Sequence, residues 1–149
     1  MDDLDYMKMA LAEALAAAER DEVPIGAVIV HGGEVIARNG NRTREMNDPT
    51  AHAEILVIRA ACAEAGAQRI PDCDLYVTLE PCGQCAAAIS FARIRRLIFA
   101  ACDPKGGGVL HGPRFYDQPT CHHRPEVVQM TNAPEAGALL KSFFAGKRK

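Results

Sequence analysis

Leu75-Tyr76-Val77-Thr78-Leu79-Glu80-Pro81-Cys82-Gly83-Gln84-Cys85 passes from a strand into a helix, and that reading decides the fold. Leu75 to Leu79 is a short apolar run of strand-forming residues. Pro81 suits the first position of a helix, where a missing N–H costs nothing, and the spacing predicts a helix to about Ala92. Cys82 and Cys85 then share one face of its opening turns. Leu97 to Cys102 is the next apolar strand. Working outward, Leu4, Met7, Leu11, Leu15 and Ala18 recur at helical spacing behind an acidic start. Pro24–Val30, His31-Gly32-Gly33 and Glu34–Arg38 read as a hairpin. Asn39-Gly40-Asn41 and Asn47-Asp48-Pro49 punctuate a polar loop. Thr50 is placed to cap a second helix over His52–Glu64. Asp103–Pro113 is a glycine-rich loop without a phosphate-binding pattern. Glu126–Met130 is a last strand and Pro134–Ala145 a last helix. Strands alternate with helices, which predicts an α/β fold, a three-layer α/β/α arrangement around a mixed five-stranded sheet. The 149 residues suffice for one domain spanning 1–149.

Bulk properties exclude several classes. The longest apolar runs are too short to span a membrane. The Met-Asp-Asp-Leu-Asp start has no basic region followed by an apolar one, so no secretory signal is expected. Four of the six cysteines (Cys62, Cys73, Cys102, Cys121) lack framework spacing, which predicts reduced thiols in a cytoplasmic protein. The net charge of −2 argues against a generic polyanion binder. Its distribution is uneven. Residues 1–90 hold 7 Lys/Arg against 15 Asp/Glu, and residues 91–149 hold 10 against 4. The basic half includes Arg93-Ile94-Arg95-Arg96 and Lys147-Arg148-Lys149, which allows a phosphate-facing surface.

The chemistry lies in His52-Ala53-Glu54 together with Pro81-Cys82-Gly83-Gln84-Cys85. One imidazole and two thiolates fill three corners of a Zn²⁺ tetrahedron and leave the fourth open for water. No second CxxC or HxxxH supplies a fourth ligand. Cys121-His122-His123 is too closely spaced to grip one ion. Glu54 is not needed to hold the metal and is placed to move protons. This H-x-E … P-C-x-x-C pattern is that of zinc deaminases acting on nucleobases. Glu80, beside Pro81, is the competing carboxylate, and a residue preceding proline at a strand end serves backbone geometry or a cap.

Over nearly its whole length the chain resembles the bacterial tRNA-specific adenosine deaminases of the cytidine deaminase-like superfamily. The matching segments are Asp21–Val28, Asn41-Arg42, Asp48–Glu54, Thr78–Cys85, Asp103-Pro104-Lys105, His123-Arg124 and Phe143-Phe144 before a basic end. The resemblance implies a cytidine deaminase-like fold and one zinc per subunit on His52, Cys82 and Cys85. It implies Glu54 as the catalytic proton shuttle and Asn41 as a contact to the target nucleoside. Asp103 and Lys105 match a loop that touches RNA, and Phe144, Lys147 and Arg148 the part that holds the anticodon stem-loop. It also implies a homodimer acting on the wobble adenosine of an arginine tRNA, with RNA contacts from both subunits. The chain departs from the pattern at Gly83-Gln84, where the family usually has an apolar residue followed by methionine. Gln84 is expected to point away on the helix and replace methionine in packing; the alternative places its amide beside the metal helix.

Three other readings compete. A deaminase of free guanine, cytosine or cytidine has no use for a basic C-terminal half. A non-catalytic zinc RNA-binding module has no use for Glu54. A redox CxxC protein has no use for His52-Ala53-Glu54.

Overall fold

A computed structural model describes residues 1–147. The chain runs α1 (Asp3–Glu19), β1 (Gly26–His31), β2 (Glu34–Gly40), α2 (Ala53–Ala65), β3 (Cys73–Leu79), α3 (Gly83–Phe91), β4 (Arg96–Ala101), β5 (Glu126–Gln129) and α4 (Glu135–Lys147), with a 3-10 turn at Phe115–Asp117. The five strands form one sheet in the order β2-β1-β3-β4-β5. β1 pairs antiparallel with β2 and with β3, while β3–β4 and β4–β5 are parallel. The sheet is therefore mixed, as expected. At the hairpin turn Gly32 and Gly33 have φ of 57° and 81°, the left-handed pair that a two-residue turn matching strand twist demands.

Side chains alternate across the sheet and define the layers. Val28, Val30, Tyr76 and Ile98 face one way and pack with Tyr6, Met7, Ala10, Ala133 and Ala136 of α1 and the α4 region. Ala27, Ile29, Leu75, Val77, Leu97 and Phe99 face the other way and pack with Ala53, Val57 and Ala61 of α2 and Ala86 and Ile89 of α3. The three-layer arrangement follows. None of the described helices is long and apolar enough to cross a membrane.

Three local expectations are corrected. Thr50 does not cap α2, because its hydroxyl is held by Asp48 Oδ1 at 2.7 Å. His52 occupies the N-cap position with no side-chain bond of its own. Asn41 Oδ1 instead accepts the Ala53 N–H at 2.8 Å. Helix α3 starts at Gly83, with Cys82 rather than Pro81 at its boundary. β2 runs on through Asn39 and Gly40 because both still pair with β1.

Helix α1 lies close on β1 at Gly26. A Cβ there would collide with the Ala10 carbonyl oxygen and lie 2.6 Å from the Ala14 backbone nitrogen. Both are backbone atoms that cannot turn aside. Overpacking costs about 1–3 kcal/mol, so Gly26→Ala is expected at or beyond the upper end of that range. Thermal melts measure this, and a melting temperature unchanged within a degree contradicts the close approach.

Candidate metal centre

Two helix starts meet at one point. β3 ends at Leu79, and Glu80-Pro81 carry the chain to Cys82 at the head of α3. On the same face of the sheet, α2 begins beside His52. His52 Nδ1 is 3.6 Å from Cys82 Sγ and 3.4 Å from Cys85 Sγ. All three ligand atoms lie within 4.8 Å of one another. Bond lengths of about 2.0–2.1 Å to nitrogen and about 2.3 Å to sulfur give tetrahedral N···S edges of about 3.6 Å. The trio fits such an ion. Among the described residues no other group of His, Cys, Asp and Glu converges this way. Cys121-His122-His123 does not: Cys121 and His123 are engaged with backbone carbonyls, at 3.1 Å to His123 and 2.7 Å to Ile94. All six cysteines are free of disulfides.

Charge at the centre is arranged for a cation. The Cys85 thiol and the His52 ring draw the Cys82 thiol down to about 4. Cys85 is pushed up, because it holds the proton shared with Cys82 and is itself buried. The Cys82 sulfur in turn raises the His52 imidazole. A metal bound here would replace the shared proton, since thiolates are the ligating form. Both helix N-termini add partial positive charge, which favours those thiolates.

Glu54, in the first turn of α2, is 3% exposed. Its Oε1 is buried without any hydrogen-bond partner. Burial lifts the carboxyl to about 7, against the pull of its own backbone N–H and of His52. A buried carboxylate oxygen without a partner, beside three metal-type ligands, calls for one that the described residues do not supply.

Glu80 is the opposite case. Its side chain is fully buried. Oε1 accepts the Asp103 N–H at 3.0 Å and pairs with His111 Nδ1 at 2.7 Å. Oε2 accepts the N–H groups of Val109, Leu110 and His111 at 3.2, 2.9 and 3.1 Å. Burial alone would raise this carboxyl, but the backbone donors and His111 overcome it and hold it below its ordinary value. Glu80 thus fastens the 103–111 loop over the head of α3, the backbone role expected of it.

Asn41 is 4% exposed and spends its acceptor on α2. Asp103 Oδ1 accepts the N–H of Lys105 and of Gly106, at 3.2 and 2.9 Å, and so closes its own turn. Lys105 is exposed. Asp103 and Phe144 line one cavity of about 250 Å³ with Leu79, Cys102, Leu140 and Lys141, so the far end of α4 meets the loop. Lys147 ends α4, and Arg148 lies outside the described residues. Gln84 does not point away: its Nε2 is 3.4 Å from the Thr50 carbonyl oxygen and 4.0 Å from Cys85 Sγ.

Two braces escaped the sequence reading. The Glu22 carboxylate, 1% exposed, accepts the N–H groups of Arg44 and Glu45 at 3.1 and 2.8 Å. Arg20 Nη2 donates to the Asn41 carbonyl at 3.0 Å. Both residues occupy the connection between α1 and β1, and both steady the loop leading to His52. Neither has a spacing rule that marks it in a sequence.

A family model for MafB19-like deaminase matches residues 1–148. The tRNA-specific adenosine deaminase of Agrobacterium fabrum is 63% identical over 143 residues, 96% of this chain and 94% of that one. A solved structure from work on A-to-I editing by tRNA:A34 deaminases at the wobble position of transfer RNA is 66% identical. Its TM-score is 0.84, over 85% of this chain and 98% of that one. A guanine deaminase structure from Bacillus subtilis is 32% identical with a TM-score of 0.69, over 100% and 96% of the two chains.

Replacing the Glu80 carboxylate by an amide puts an NH₂ group against backbone donors. Glu80→Gln is expected to cost about 2 kcal/mol at pH 7, the scale of hydrogen bonds to a charged group. A carboxyl depressed on folding adds stability above its unfolded value, near 4.5, and that stability is lost as pH falls through the lower folded value. Denaturant melts of both proteins at pH 7 and pH 3 should therefore show the gap narrowing in acid. An equal gap at both pH values refutes the charged role.

Proposed function

The chain belongs to the MafB19-like deaminases and groups with the tRNA-specific adenosine deaminases, and we propose that it converts adenosine to inosine at the wobble position of a tRNA anticodon loop. The tRNA we assign is an arginine tRNA, with one zinc per subunit on His52 Nδ1, Cys82 Sγ and Cys85 Sγ. The observation that carries this reading is the buried, unpartnered Glu54 Oε1 beside the three-ligand group. The name of the Agrobacterium relative and the wobble-position activity of the solved relative support the choice of substrate.

A zinc ion held by His52, Cys82 and Cys85 would supply a polarised water for attack on the amidine carbon of adenine, C6. Glu54 is the proton carrier in this reading: it would pass one proton to the ring nitrogen and a second to the departing amine, which leaves as ammonia. A carboxyl raised to about 7 is suited to both directions of transfer. The buried wall around Glu54 excludes bulk water. The target base must leave its stack to reach this floor, and a single-stranded loop makes that extrusion inexpensive. Asn41 meets the nucleoside, Asp103 and Lys105 the neighbouring loop, and Phe144, Lys147 and Arg148 the stem-loop. Such an enzyme works in the cytoplasm, where unpaired cysteines stay reduced.

The enzyme acts as a homodimer in this reading. The outer faces of α2 and α3 support it: Phe91 is 67% exposed, beside Ile55, Ile58 and Ala88 around a shallow cavity. In this seam Ile55 and Ile58 lie in the first turns of α2, while Ala88 and Phe91 lie in the last turns of α3, with Arg59 and Gln68 at the edge of the same cavity.

Glu54→Ala is expected to retain its metal, by elemental analysis, and to lose about 10⁴-fold in turnover, the upper end for a general acid–base group. A substrate panel of an arginine anticodon stem-loop, free adenosine, cytidine, cytosine and guanine tests the rest. Wild-type activity confined to the stem-loop is the expected result, and turnover of free guanine with none on the stem-loop overturns the tRNA reading.

Phe91→Asp buries a charge in the seam. In sedimentation experiments the wild type should run as a dimer and the variant as a monomer. A variant that still runs as a dimer places the subunit contact elsewhere.

A further inference from the structure

Gln84 lies between the two cysteine ligands, exposed to solvent in the first turn of α3. Nothing in helix formation requires glutamine there. Its side chain nonetheless folds back toward the centre. A primary amide carries two N–H hydrogens, and Nε2 has two acceptors within reach. One is the Thr50 carbonyl oxygen, at 3.4 Å, two residues before His52. The other is Cys85 Sγ, at 4.0 Å. The first belongs to the segment that delivers the imidazole, the second to a thiolate ligand. Thr50 is fixed in turn, since its own N–H and hydroxyl are both held by Asp48 Oδ1. The amide therefore spans the entries of α2 and α3 at their point of convergence.

We propose that Gln84 is a positioning residue of the metal centre, a strap that ties the histidine arm to the cysteine arm and donates a hydrogen bond to the Cys85 sulfur. It acts through the Thr50 carbonyl and the Cys85 sulfur. Groups that orient metal ligands in this way set metal affinity and ligand electronics. A hydrogen bond to a thiolate lowers the energy of the sulfur lone pairs and draws electron density from the metal. Methionine at this position has comparable length and no donor. The amide thus gives this centre control over the sulfur that an apolar side chain lacks. The inference rests on the metal reading of His52, Cys82 and Cys85.

The test uses the full-length protein loaded with zinc or with Co²⁺. Two variants are needed, Gln84→Met and Gln84→Glu; the second keeps the length of glutamine and removes both N–H donors at neutral pH. This exposed position in the first turn of α3 tolerates both residues, and circular dichroism checks the fold. Two quantities are measured: the rate of zinc transfer to a chelator and the energy of the thiolate-to-Co²⁺ charge-transfer band. Gln84→Met is expected to release zinc about tenfold faster, the lower end for loss of such an orienting contact, with the band moved to lower energy. Gln84→Glu should release it faster still, because its carboxylate repels both the Thr50 carbonyl and the thiolate. Variants that match wild type in release rate, or that leave the band unmoved, overturn the strap. A wild-type protein that takes up no zinc and shows no charge-transfer band defeats the metal reading itself, and the strap with it.

Discussion

Two sulfur atoms must stay about 3.5 Å from an imidazole nitrogen whose residue lies thirty positions or more away along the chain. Everything else serves that spacing. Helices α2 and α3 pack on the same face of the sheet through Val57, Ala86, Ile89 and the inward residues of β1 and β3. Both helices begin at the same end. Their N-termini therefore meet where the parallel β3–β4 pair ends, the place where α/β sheets present their chemistry. The positive ends of two helices then face a pair of thiols, which suits a site that must hold thiolates. Geometry and electrostatics have one cause here, the direction in which two helices leave a sheet.

Three buried glutamates show how the protein separates structure from reaction. Glu22 and Glu80 are as buried as Glu54, yet backbone N–H groups occupy both oxygens of each. One pins the approach to His52, and the other pins the 103–111 loop. The backbone donors and His111 hold the Glu80 carboxyl below its ordinary value, against its burial, so it stays ionised at neutral pH. Glu54 has an oxygen with no partner and a carboxyl lifted to about 7. A single carboxylate freed among braced ones is the expected mark of a proton carrier.

Periodicity and ligand spacing make much of this molecule legible in its sequence. The element order, the mixed five-stranded sheet and the His52-Glu54 and Cys82-Cys85 pairs all follow from patterns local to a dozen residues. The errors arise where one residue had two suitors. Thr50 has the chemistry of a cap, but Asp48 captures its hydroxyl two residues away, and a side chain twelve residues upstream does the capping. Pro81 has the chemistry of a first helical residue, but α3 begins two residues later. Glu22 and Arg20 leave no trace in spacing, because their partners are backbone groups whose positions exist only after folding. Gln84 is of the same kind. On a helical wheel it belongs to solvent, and its amide turns inward because the Thr50 carbonyl, in the turn before α2, is within reach.

Asn41 carries a consequence for how this surface can change. Its oxygen is committed to the Ala53 N–H, at the head of the helix that carries Glu54. Its nitrogen still has two N–H groups to offer, and a partner that meets that nitrogen from outside presents a lone pair. A replacement has to keep an acceptor facing inward before it can alter what faces outward. Aspartate meets that demand at the same reach, and it reverses the polarity shown to the outside. A change at this position thus answers first to the helix and only then to whatever lies outside.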